Sequence, residues 1–171
     1  MSRIAIPLFF GMGWLVLQTA FGGFYPTRFP IPDVVLIVVV VFGFRYSLPL
    51  GGGLSFFLGF LQDVLAGGVV GLNALSKTVV FSLTKTMVRR FYFPNLISKM
   101  LMVFVGAMVD GLLVLIILLI AEGIHIPFSR ILHYLIMQAL STGLLSPLVL
   151  IITPKVFILG ERGQERFSLW I

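Results

Sequence analysis

The chain has 171 residues, 59% of them hydrophobic and 11% charged, with a mean hydropathy of +1.13. A soluble domain carries about 25% charged residues, so this composition excludes a soluble globular fold and leaves no room for a water-facing catalytic domain. Twelve basic against six acidic residues give a net charge of +6, but the basic residues sit mostly at the ends of hydrophobic segments, as membrane topology requires, and form no patch for nucleic acid.

In chain order, residues 4–24 form the first apolar segment, behind Arg3. It lacks a clear small-x-small cleavage site and more spans follow it, so it reads as a retained helix rather than a signal peptide. Residues 34–44 are strongly apolar but short, covering about 17 Å at 1.5 Å per residue. This segment crosses a bilayer of about 30 Å only if Pro30, Ile31 and Pro32 add a first turn and Arg45 snorkels at the far end. Otherwise it is re-entrant.

Residues 48–67 are the most patterned span. Gly51, Ser55, Gly59, Asp63 and Gly67 recur every four residues, which places Ser55, Gly59 and Asp63 on one helical face. Small residues at this spacing let two helices approach closely, so Gly51, Ser55, Gly59 and Gly67 read as a packing groove. Asp63 lies near the end of this span and Lys77 a similar distance into the next, residues 71–88. Each charge alone is expensive in lipid, so the two are expected to pair across the hairpin, locking it or, as the alternative, serving as a proton or ion relay. The connecting stretch, GGVVGLNALSKT, fails as a phosphate-binding loop because Ser76, not glycine, precedes Lys77.

Residues 100–121 are a membrane-length run interrupted by Asp110, a charge that costs roughly 2.5–3.5 kcal/mol on insertion scales unless it faces a protein interior. Gly106, Ala107 and Gly111 open a close-contact face around it. Its expected partners are Lys77 and the polar stripe Gln138, Thr142 and Ser146 on the last span, residues 134–153. The tail 160–171 is polar with Phe167 and Trp170, and is expected along the cytoplasmic interface. His125, His133 and Glu122 sit around an outer loop without a metal or nucleophile motif, so no enzyme activity, cofactor or metal is expected. The lack of cysteine excludes disulfides and thiolate sites.

These segments define an all-α, polytopic membrane helix bundle of one domain, residues 1–171, with six transmembrane helices, or five and one re-entrant. With six spans and both termini cytoplasmic, the inner side holds Arg3, Arg45, Lys85, Arg89, Arg90, Lys99, Lys155, Arg162 and Arg166, and the outer side only Arg28 and Arg130. Arg45, Arg89, Arg90 and Lys99 form a cytoplasmic basic rim suited to anionic lipid or an acidic partner surface.

The ordered set Pro32-Asp33, Gly43-Phe44-Arg45, Gly51–Gly53, Gly59-Phe60-Leu61-Gln62-Asp63, Gly67-Gly68 and Gly71-Leu72-Asn73-Ala74-Leu75, with the late acid Asp110, resembles the MreD family of the bacterial rod-shape system. The likeness covers roughly residues 30 to 120, and the last third agrees in hydropathy alone. The resemblance implies a non-enzymatic scaffold of the bacterial inner membrane. It would bind a bitopic MreC-like protein and, indirectly, an MreB-like filament and peptidoglycan synthases, with a helical arrangement similar to the substrate-binding subunits of energy-coupling-factor transporters. On this reading a partner's helix would pack on the small-residue face of the third span or on lipid-facing glycines such as Gly11 and Gly22. The alternative is a vitamin-type binding subunit of a transporter, against which stand the short outer loops and a first helix with Gly11, Gly13 and Trp14 in place of a paired-alanine docking face.

Overall fold

A computed structural model describes residues 2–22, 32–66, 69–122 and 128–168 of the chain. All regular elements among them are helices: α1 (Ser2–Gly22), α2 (Val34–Arg45), α3 (Leu48–Ala66), α4 (Leu72–Arg90), α5 (Leu96–Glu122) and α6 (Phe128–Ser168). Three of them, α3, α5 and α6, are each long and apolar enough to cross a membrane.

The shortest helix organises the others. α2 reads VVLIVVVVFGFR and is apolar on every side, so it has no face to give to water and must be surrounded. The structure surrounds it. Residues 34 to 43 are all buried, and α2 touches each of the other five helices. Those five close a ring around it in the order α1, α3, α4, α5, α6 and back to α1. Asp33 caps the start of α2 by accepting the Leu36 N–H at 3.0 Å, and Pro32 lies outside the helix. Pro32 therefore adds no turn to the helix, because Asp33 sits with extended backbone (φ −86°, ψ 92°); Pro30 and Ile31 lie outside the described residues. With 12 residues, α2 is about 18 Å long at 1.5 Å per residue.

Facing residues give the directions of the helices. A Cβ on Gly51 would strike the Phe81 ring, and one on Gly59 would lie 2.5 Å from the Asn73 carbonyl and 2.7 Å from Ala74 Cα, so α3 and α4 are antiparallel and almost in backbone contact. Gly111 faces Leu135 and Gly143 faces Phe104, so α5 and α6 are antiparallel too. Gly106 sits against Val80 at 3.2 Å and Val40 at 3.6 Å, which seats α5 on both α4 and α2. The groove of Gly51, Ser55 and Gly59 is thus filled by the chain's own α4. That corrects the expectation that this face receives a partner helix, and Gly11, whose Cβ would be 2.8 Å from Leu58, is likewise turned toward α3 rather than lipid. Gly13 meets nothing within 4 Å; Gly67 lies outside the described residues, and so do the side-chain surroundings of Gly22.

α4 is the polar member of the ring, and beyond Ser76 four of its hydroxyls are absorbed by its own backbone. Thr78, Ser82, Thr84 and Thr86 each donate to the carbonyl four residues back, at 2.8–2.9 Å, the usual way a serine or threonine is accommodated inside a helix. Beyond Thr153, α6 continues as one helix to Ser168, so the polar tail as far as Ser168 extends the last helix; residues 169–171 lie outside the described residues.

Candidate functional site

Four charged side chains are buried among the described residues: Asp33, Asp63, Lys77 and Asp110. A buried charge is retained only when it is paired and hydrogen-bonded, and each of these is. Lys77, fully buried, donates to Asp33 Oδ2 at 2.6 Å and to Asp110 Oδ2 at 2.8 Å. Asp110 Oδ1 meets Ser76 Oγ at 2.5 Å, and the same hydroxyl lies 3.3 Å from the Asp110 carbonyl oxygen. Asp33 Oδ1 is taken by the Leu36 N–H, and the Asp33 N–H donates to Thr142 Oγ1 at 3.0 Å. The next amide, Val34 N–H, donates to Gln18 Oε1 at 3.3 Å. The centre thus joins α2, α4, α5 and α6, with α1 tied on beside it.

Asp63 performs a different task. Gly71, the residue before α4, has a left-handed backbone (φ 96°) and no side chain to cap the helix. The first N–H groups of a helix lack internal partners, and Asp63 reaches across from α3 to supply them. Its Oδ2 accepts from Gly71 N at 2.9 Å and Ala74 N at 3.2 Å, and its Oδ1 accepts from Asn73 N and Asn73 Nδ2, both at 2.9 Å. A carboxylate at a helix N-terminus also meets the positive end of the helix dipole.

The expected Asp63–Lys77 pair is therefore not formed. Four N–H donors at the mouth of α4 hold the Asp63 carboxylate, while Lys77 turns inward to two other acids. The pairing of Asp110 with Lys77 is as the sequence led one to expect. Of the polar stripe on the last helix, Thr142 joins the centre through Asp33, Ser146 donates back to the Gly143 carbonyl at 2.6 Å, and half-buried Gln138 stays outside the hydrogen bonds of the cluster, its carbonyl accepting from Ser141 at 2.9 Å. Ser55 is buried and its hydroxyl has no partner, and the same holds for Oε1 of Gln62.

Asp33 is the residue that sequence reasoning missed as a charge partner. An Asp directly ahead of an apolar run carries the signature of a helix cap, and that signal was available. Its meeting with Lys77 was not, because 44 residues separate them.

The basic rim lies at the other end of the helices. Arg45 closes α2, and Arg89 and Arg90 close α4, where a cation complements the helix dipole; all three are exposed. Lys99 is half-buried with its Nζ 6.0 Å from the centre of the Phe44 ring, and Phe44 in turn packs edge-on against Phe93 at 5.8 Å. His133 is exposed, and His125 lies outside the described residues. No group of three or more potential metal ligands occurs among the described residues.

No family model matches the chain, and neither a curated protein nor a solved structure matches it. The all-helical bundle and its three membrane-length helices define the class, a membrane protein.

Proposed function

We propose that the protein is a non-enzymatic, multi-pass scaffold of a bacterial inner membrane, acting in the cell-shape machinery as its resemblance to the MreD family implies. It crosses the bilayer six times with both termini in the cytoplasm; α2, too short to span by its own length, makes its crossing enclosed by the other five helices rather than against lipid. It binds a bitopic MreC-like protein and, through it, helps to organise lateral wall synthesis. One observation supports a scaffold above all. Each of the four buried charges bonds to an element other than its own helix, so the polar interior serves to hold helices together. The outer faces are left apolar, with Phe56, Phe57 and Val64 on α3 and Leu101, Val105 and Ile116 on α5 exposed, and these meet lipid or a partner helix.

The test is a photo-crosslinking scan from those outward positions of α3 and α5, and from exposed Phe9 of α1, in cells, combined with affinity purification. Recovery of an MreC-like protein crosslinked to one continuous helix face supports the scaffold. Recovery of an ATPase module together with a tightly bound small molecule would replace it with the transporter reading.

A further inference from the structure

We propose that the Asp33–Lys77–Asp110 cluster is a proton-binding site, holding one proton beyond those of the lysine ammonium, on Oδ1 of Asp110. The argument begins with a charge count. Two carboxylates face one ammonium, at side-chain exposures of 6%, 5% and 0%, so with both acids ionised the centre of the bundle would carry a net negative charge. An uncompensated charge in such surroundings is neutralised rather than kept. Among the described residues, the other elements packed on the cluster bring no compensating cation: α6 contributes the Thr142 hydroxyl and α1 the Gln18 amide, while Asp63 of α3 is engaged by the mouth of α4. A proton from solvent closes the balance.

The hydrogen bonds say which acid receives it. Both oxygens of Asp33 accept from groups that can only donate, the Leu36 N–H and the Lys77 ammonium, and Asp33 caps the positive end of α2, where a negative charge belongs. Asp110 differs. Its Oδ2 accepts from Lys77, but its Oδ1 faces a hydroxyl, which can donate or accept. Ser76 has a single hydroxyl hydrogen and two oxygens of Asp110 within reach, Oδ1 at 2.5 Å and the carbonyl at 3.3 Å. Each contact has a hydrogen of its own, rather than one shared between two acceptors, only if Asp110 Oδ1–H donates to Ser76 and Ser76 donates onward to the carbonyl. Loss of that proton would leave an unbalanced charge where α2, α4 and α5 meet, so the site couples proton occupancy to helix packing. The inference depends on burial within the bundle and is independent of which partner the scaffold binds.

Infrared spectroscopy of the full chain in lipid nanodiscs tests it, in H2O and D2O at neutral pH. The wild type should show a carboxylic-acid C=O band that shifts down in D2O. Asp110→Asn, a neutral isostere that keeps the donor to Ser76 and the acceptor for Lys77, should abolish the band, and Asp63→Asn should leave it intact. A wild-type spectrum without an acid band overturns the proposal whatever the variants do, and a band that survives Asp110→Asn overturns the assignment to Asp110.

Discussion

Lys77 is one ammonium serving two acids, which makes it the costliest single side chain to remove. Lys77→Met leaves Asp33 and Asp110 buried without their cation, and breaking a buried ion pair in this way costs about 3–5 kcal/mol. Denaturant unfolding in detergent micelles should register that loss. Replacing all three members together by non-ionisable side chains, as Lys77→Met with Asp33→Asn and Asp110→Asn, should recover most of it, since a charge-free replacement avoids the desolvation penalty. Asp63 belongs to a separate account. Asp63→Ala strands the amides of Gly71, Asn73 and Ala74 and should destabilise the protein by about 1–3 kcal/mol, with hydrogen exchange accelerated first at the start of α4. Because Asp63 and Lys77 have different partners, exchanging them as Asp63→Lys with Lys77→Asp should be worse than either single reversal rather than a rescue. Growth of the unfolded fraction in the same assay decides this.

At the scale of elements, the α3–α4 hairpin is set by the absence of side chains. Gly59 lies so close to the Asn73–Ala74 backbone that even one methyl group would overlap it, and backbone cannot swing aside as a side-chain tip can. Gly59→Ala should therefore cost about 1–3 kcal/mol as overpacking, whereas Gly53→Ala, which meets nothing within 4 Å, should be close to neutral. Thermal melts of the two variants side by side make the comparison. Asp63 adds the polar half of the same hairpin: its position one helical turn beyond Gly59 carries its carboxylate to the amides that the close approach has brought near.

For the whole molecule, the decisive arrangement is a ring of five helices around α2, with buried acids toward one end and exposed arginines at the other. The chain has no cysteine, so single introduced cysteines report sidedness without background. Val70, 64% exposed in the α3–α4 turn, and Tyr92, 89% exposed between α4 and α5, should label from opposite faces of the membrane, Tyr92→Cys from the cytoplasm with the basic rim. Labelling of both from one side would mean that α4 does not cross, and the six-span topology would fall with it. The core of the ring is equally open to test. Ile37→Ala opens a cavity where α2 is fully enclosed and should cost about 2–5 kcal/mol in the micelle unfolding assay.

The hydrophobic pattern alone determined that the chain is a helical membrane protein, where its six segments lie, that Gly51, Ser55 and Gly59 mark a close approach, and that Asp110 needs a partner such as Lys77. Each of these follows from periodicity or from the cost of a charge in lipid, and both are properties of nearby residues. Which charges meet was decided only by the tertiary structure. Sequence spacing put Asp63 beside Lys77, but the unpaired amides at the mouth of α4 hold Asp63, and the central placement of α2 delivers Asp33 to Lys77 from 44 residues away. The shortness of α2 was legible and its meaning was not. A helix apolar on all sides has to be enclosed, and only the closed ring of the other five reveals what encloses it.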